Sequence, residues 1–265
     1  PKHLQSIFFL GIINGIKKDF LKAKDFFDRV LKIDSNHGDA LYNLGLVLFE
    51  LKEFEKSINY FEKTIKINPK NSDAYNNLGF VYYKIKEFEK STNYFQKAIE
   101  ANSNNVDAYN NFGNSLNELG QLNEAVSYYK KAIQINPKYI KAHGNLGITF
   151  YKLGKFQEAI KSHEKVLEIY PKHVNSLNLL GVIYGQLREF EKAKIYHEKA
   201  IKLNPEDVDA NLSLGILLFK MSNFKKGFEQ YEWRKKSPIN KDIIKKITGT
   251  EWQGEDLKNK TILIL

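Results

Sequence analysis

Apolar side chains recur along this chain with two periods, one nested in the other. Within residues 88–101 (FEKSTNYFQKAIEA) they fall at helical spacing, so one face is apolar and the other carries Glu, Lys and Gln. The stretch 72–85 shows the same spacing, and a short turn separates the two. The chain thus predicts a first helix of about thirteen residues, a turn, and a second helix. The longer period is 34 residues. Glycine recurs at 11, 45, 79, 113, 147, 181 and 215. In parallel run Phe20, Phe54, Phe88, Leu122, Phe156, Phe190 and Phe224, each followed three residues later by Ala23, Ser57, Ser91, Ala125, Ala159, Ala193 or Gly227. Pro69, Pro137, Pro171 and Pro205 close four of the units, where a missing donor and a restricted preceding residue end a helix.

Seven such units begin near residues 4, 38, 72, 106, 140, 174 and 208. An Asp or Ser near the start of each first helix is suited to meet its free N–H groups. A mid-helix glycine costs about 1 kcal/mol against alanine. Its return in every unit implies that another helix packs too close there for a Cβ. No single helix pair buries both of its faces, so neighbours must stack.

This combination of period, glycine, small residue and closing proline resembles the tetratricopeptide repeat, from about residue 4 to 240. The resemblance implies an all-α, right-handed superhelical solenoid whose first helices line a concave groove. Residues 1–240 are read as the array, and 241–265 as a linker and the start of a further domain. "TILIL" (261–265) is an apolar, β-branched run of the kind that forms a buried parallel strand. The segment "WQGEDLKNKTILIL" (252–265) resembles the junction in bacterial proteins whose repeats precede a glycosyltransferase-like domain, with Asn259 where glycine is usual. That resemblance implies a truncated α/β domain, with no catalytic residue in this chain.

Four units share a heptad: DALYNLG (39–45), DAYNNLG (73–79), DAYNNFG (107–113) and KAHGNLG (141–147). Turning 100° per residue, Tyr75, Gly79 and Tyr82 form the stripe that meets the second helix, and Asp73, Asn77 and Lys84 fall opposite. Stacked units would align Asn43, Asn77, Asn111 and Asn145 in one row, flanked by Asp39, Asp73 and Asp107. Two readings stand open. Asparagine is common at this place in tetratricopeptide repeats, where it bonds a neighbouring unit or faces water, and the aspartates suit a first helical turn. Alternatively, the amides offer a donor and an acceptor to an extended peptide backbone, an arrangement similar to the asparagine ladder of protein O-linked N-acetylglucosamine transferases. The aspartates would then select polar or basic side chains. The row ends after Asn145, since Phe9, Leu179 and Ser213 occupy the equivalent places. Lys84, Lys141 and Lys152 are too few for the carboxylate clamp of chaperone-binding relatives.

Composition narrows the function further. The chain is 42% hydrophobic and 27% charged, as a globular protein is, and it has no cysteine. Disulfides, thiolate metal sites and cysteine nucleophiles are therefore excluded, and a reducing, cytoplasmic setting is the expectation. The net charge of +10 raises nucleic-acid binding, but the excess is dispersed lysine, with Arg29, Arg188 and Arg234 the only arginines. Arginine is the residue that reads phosphates and bases in fork geometry, so nucleic acid is not the partner expected. The apolar run IFFLGII (7–13) falls short of the ~20 residues that span a bilayer. Gly11 lies in the repeat register, so the run reads as a core helix rather than a signal sequence. His163 and His197 stand where other units place Phe27, Phe61, Phe95, Tyr129 and Tyr231, and read as packing residues. Trp233 is placed as a cap on the last helix pair. No catalytic, metal or cofactor motif is present. The expectation is a non-enzymatic scaffold that binds a protein or peptide, with a pure assembly scaffold as the alternative.

Overall fold

The computed structural model describes residues 2–236. The expected linker at 241–265, Pro238 and the expected strand at 261–265 lie outside the described residues. The chain divides into two compact units, Pro1–Pro171 and Lys172–Leu265.

In the first unit five helix pairs follow one another: α1 (Lys2–Ile16) with α2 (Phe20–Ile33), α3 (Gly38–Glu50) with α4 (Phe54–Ile67), α5 (Ser72–Lys84) with α6 (Phe88–Ala101), α7 (Val106–Glu118) with α8 (Leu122–Ile135), and α9 (Ile140–Lys152) with α10 (Phe156–Ile169). The second helices α2, α4, α6 and α8 also pack on the next first helix, and successive first helices of this unit touch. The second unit holds α11 (Val174–Gln186) with α12 (Phe190–Leu203), and α13 (Val208–Lys220) with α14 (Phe224–Tyr231), followed by a 3-10 turn at Glu232–Lys236. Among the described residues this is an all-helical repeat solenoid, as the 34-residue period predicts.

The recurring glycine has a definite partner. A Cβ at Gly11, Gly45, Gly79 or Gly113 would lie 2.6–2.8 Å from the ring of Phe27, Phe61, Phe95 or Tyr129 of the same pair, and one at Gly147 or Gly181 would strike His163 or His197 at 2.6 Å. Those six rings are almost wholly buried. Burying an aromatic ring contributes on the order of 2–3 kcal/mol, which exceeds the helical cost of the glycine. In the seventh pair the neighbour is backbone: the Tyr231 nitrogen would be 2.9 Å from a Cβ at Gly215. Gly227, which replaces the usual alanine, is explained by the Phe219 ring, 2.6 Å from where its Cβ would be.

The caps differ from the expectation. Asp39, Asp73 and Asp107 sit in the first turn, but the residue before α3, α5, α7, α11 and α13 does the capping, and α9, preceded by Tyr139, has no side-chain cap. Asn71 and Asn105 accept from the amides of Ala74 and Ala108, Asp207 accepts from Ala210, and His37 and His173 accept through Nδ1. An Asx side chain satisfies a free N–H directly from that position, whereas a first-turn carboxylate acts through the dipole. The turn inside every pair is left-handed, at Lys18, Lys52, Lys86, Gly120, Gly154, Arg188 and Ser222, so most units adopt this conformation without glycine. Trp233 lies half-buried in the terminal turn, which packs on α13, with the Lys236 ammonium 3.8 Å over its ring.

Candidate functional site

The four row asparagines occupy the same position on α3, α5, α7 and α9, all in the first unit. Each is half-buried rather than fully open, because the neighbouring first helix covers part of it. Every one has its amide nitrogen engaged. Asn43 Nδ2 donates to its own helix at the Asp39 carbonyl (2.7 Å). Asn77 Nδ2 donates to the Tyr42 hydroxyl of the preceding repeat (2.8 Å). Asn111 Nδ2 donates to Asn76 Oδ1 (3.1 Å), and Asn145 Nδ2 donates to both Asn110 Oδ1 (3.0 Å) and Asn114 Oδ1 (2.9 Å). Asn110, itself buried, donates to Asn111 Oδ1 at 3.3 Å and so links the last two. A relay of side-chain amides therefore crosses three repeats, from Asn145 through Asn110 and Asn111 to Asn76.

The consequence for chemistry is an asymmetry. The nitrogens hold the row in place, while Oδ1 of Asn43, Asn77 and Asn145 accepts no hydrogen bond from any described residue. Carbonyl acceptors held at the same register position of repeats two, three and five are suited to take N–H groups of an extended backbone.

The flanking aspartates are all exposed. Among the described residues the Asp39 carboxylate makes no hydrogen bond, and Asp73 accepts only from Asn105 Nδ2 at 3.3 Å. Asp107 accepts from the Tyr139 hydroxyl, with Lys141 at 4.0 Å. Burial pushes the Tyr42 phenol above its ordinary pKa, and the nearby Asp73 carboxylate adds to this against the opposing Asn77 bond. Burial likewise raises Tyr139, helped by Asp107. Both hydroxyls stay protonated at neutral pH and remain donors or acceptors rather than charges.

Sequence reasoning did not single out Tyr42, Asn76, Asn110 and Asn114, the partners that orient the row. The doubled asparagines of DAYNNLG and DAYNNFG were the available signal, one residue standing in the row and its neighbour accepting from the next repeat. Farther along the same interface, Asn117 donates to Thr149 (2.6 Å) and accepts from Lys152 (2.6 Å). Among the described residues no group of three or more His, Asp or Glu side chains is placed to hold a metal ion, and no helix is long and apolar enough to cross a membrane.

Stacked helix pairs that repeat every 34 residues define a helical-repeat protein. Models of the tetratricopeptide repeat match residues 38–71, 72–105, 94–127 and 138–206, and a TPR-repeat model matches 113–154. Together they run without a break from 38 to 206, well over half of the chain, and the chain belongs to the tetratricopeptide repeat family. Solved structures agree. The chain is 28% identical to MamA, over 64% of this chain and 92% of that one, with a TM-score of 0.56. It is 24% identical to YrrB, described as a TPR protein with an unusual peptide-binding site, over 69% of this chain and 95% of that one (TM-score 0.57). PilF of Pseudomonas aeruginosa aligns at 21% identity over 79% of this chain and 97% of its own (TM-score 0.67). The last two likenesses bear on the fold alone. No curated protein matches the sequence.

Proposed function

We propose that this chain is a protein-binding scaffold that captures an extended segment of a partner along α3, α5, α7 and α9. Asn43, Asn77, Asn111 and Asn145 hold the segment's backbone, and Asp39, Asp73 and Asp107 favour polar or basic side chains beside it. The observation that carries this reading is the pairing of engaged nitrogens with unengaged carbonyl oxygens in the row. An acceptor already held in place loses little freedom when a ligand N–H arrives, so most of the bond's free energy goes into affinity. Backbone capture of this kind is indifferent to most side chains, which suits a scaffold with more than one client.

The junction-like sequence at 252–265 supports the idea that the array presents such segments to a sugar-transferring domain. It is a reading by resemblance, and its test is the assay of a longer chain for glycosyl transfer to captured peptides.

The scaffold itself is tested with a random peptide library displayed on phage and selected against the chain. Selected peptides are expected to bind the wild type, and to bind the Asn43→Ala/Asn77→Ala/Asn111→Ala/Asn145→Ala variant at least tenfold more weakly, the loss of bonds of about 1 kcal/mol each to the three unengaged oxygens being more than sufficient. Unchanged affinity in a variant with an intact helical spectrum would remove the row from the site.

A further inference from the structure

The second unit contains a cavity of about 250 Å³ between α11 and α13, floored by the ring of His197 from α12. Two glycines four residues apart on α11 open it. Gly181 has no alternative, since its Cβ would strike His197 at 2.6 Å. Gly185 is different. A Cβ there would meet only Leu217 at 3.7 Å and Ala193 at 3.9 Å, which is ordinary contact. Packing does not require a glycine at 185, and the helix would be better without one.

The repeat register shows what is missing. Positions 34, 68, 102 and 136 residues before 185 hold Tyr151, Asn117, Tyr83 and Phe49, the one 34 after holds Phe219, and only the first repeat, with Gly15, also has glycine there. The Phe49 ring lies between Phe54, at 5.7 Å, and Phe80, at 5.5 Å. The counterparts of those two neighbours here are Phe190 and Ile216, so the frame that surrounds a ring in the second repeat is present in the sixth, without the ring. Ile216 is 47% exposed and lines the cavity.

The remaining walls carry groups with nothing to bind. Gln186, Ser213 and Lys220 line the cavity, and none of the three hydrogen-bonds to a described residue. His197 is 2% exposed; its Nδ1 pairs with Asn178 Oδ1 at 2.8 Å, and its Nε2 has no hydrogen-bond partner. With Nδ1–H donating to Asn178, Nε2 is left as an accessible acceptor at the cavity floor. Ser213 is also the register equivalent of the row asparagines, so the cavity sits at the row position on the first helices of this unit.

The geometry points to a side-chain pocket that receives one aromatic residue of a bound protein segment, in a sequence with a carboxylate that reaches Lys220. The proposal rests on reading the first-helix faces as peptide-docking surfaces, and it adds a specificity element that the asparagine row lacks. A cavity of about 150 Å³ suffices to bind benzene in another protein, so the volume here accommodates an aromatic ring. Ile216, Leu217 and Val182 give it apolar walls. A tyrosine or tryptophan would in addition donate a hydrogen bond to His197 Nε2. Lys220 has no carboxylate partner among the described residues, and the chain's net charge of +10 favours an acidic client.

The test uses a ligand too short to bridge repeats. N-acetyl-Tyr-Asp-amide is titrated into the chain and followed by amide NMR, with N-acetyl-Ala-Asp-amide as the control. The tyrosine compound is expected to shift the resonances of Gly185, Ser213, Ile216 and Lys220 and to saturate in the millimolar range, with the alanine compound roughly tenfold weaker or more. Gly185→Phe rebuilds the ring of the other repeats inside the cavity and is expected to abolish saturation while raising the thermal midpoint. Gly185→Ala, for which the space already exists, keeps the fold and weakens binding. Lys220→Ala should reduce the preference for Tyr-Asp over Tyr-Ala. Equal shifts from both dipeptides, or shifts that persist in Gly185→Phe, would overturn the pocket. Asn77→Ala provides the separation from the row. It leaves the dipeptide titration unchanged whether or not the row binds peptides, and a failed row with an intact titration would leave the pocket standing alone.

Discussion

Replacing Gly79 with alanine adds one methyl group at the tightest place in the third repeat. Its Cβ would sit 2.8, 2.9 and 3.2 Å from three atoms of the Phe95 ring, and that ring is fully buried. Carbon atoms in contact prefer roughly 3.5–4.0 Å, so the ring must move by well over half an ångström in a close-packed interior. Overpacking of this kind costs about 1–3 kcal/mol, while removing a helical glycine returns about 1 kcal/mol. The net expectation is a loss of about 1–2 kcal/mol. Gly185→Ala is the internal control, because its nearest neighbour is at 3.7 Å. The same substitution at that site should stabilise by about 0.5–1 kcal/mol, the helical gain alone. The assay is urea unfolding followed by circular dichroism, with amide hydrogen exchange in repeats three and six reporting the local change. Gly79→Ala combined with Phe95→Leu should recover part of the loss by freeing space. If Gly79→Ala is as stable as the wild type, or tracks Gly185→Ala, the ring-on-glycine account of the repeat is wrong.

Other outcomes follow from the same structure. Burial holds the His197 pKa down to about 4, against an ordinary His value near 6.5, so the unfolded chain binds a proton there more readily than the folded one. Stability is therefore full above pH 6.5 and falls as pH drops towards 4, by about 3 kcal/mol if the whole shift is expressed. His197→Phe, the residue type of repeats one to three, should flatten that part of the profile in a urea series measured against pH, and an unchanged slope would refute the assignment. The left-handed turn residues Lys52 and Lys86 have φ of 62° and 65°. Lys→Gly at either should raise stability by roughly 0.5–1 kcal/mol, and Gly120→Ala should lower it by a similar amount, both read from denaturation midpoints.

Much of the fold is legible in the sequence because a repeat states each rule seven times. The spacing placed a helix at 72–85 and another at 88–101, and the structure has them at Ser72–Lys84 and Phe88–Ala101. Glycine in mid-helix announced a close approach, and the ring that makes it (Phe95 for Gly79) lies sixteen residues on in the same register. Capping was less legible. Asp73 and Asn71 both suit a helix start, and only backbone geometry decides which of them accepts an N–H. The asparagine row could be placed on a face by angular projection, but its bonding could not. Asn111 reaches Asn76 and Asn145 reaches Asn110 across the repeat boundary, and those partners depend on how one pair stacks on the next. The cavity beside Gly185 escaped notice for a related reason. A glycine at this register position, in the sixth repeat as in the first, reads as variation until the rings of Phe49, Phe54 and Phe80 show what fills the space in the second.

The central claim is that side-chain carbonyls on successive first helices accept N–H groups of a bound backbone. The most direct measurement is an amide-to-ester scan of a peptide selected against this chain, read as affinity for the wild type and for each single Asn→Ala variant. An ester keeps the shape of the backbone and replaces one N–H with oxygen. At a contacted position it should cost about 1 kcal/mol, near fivefold in affinity, against the wild type and nothing against the variant lacking the matching asparagine. Ester peptides that bind the wild type as tightly as their amide parents at every position would contradict the claim.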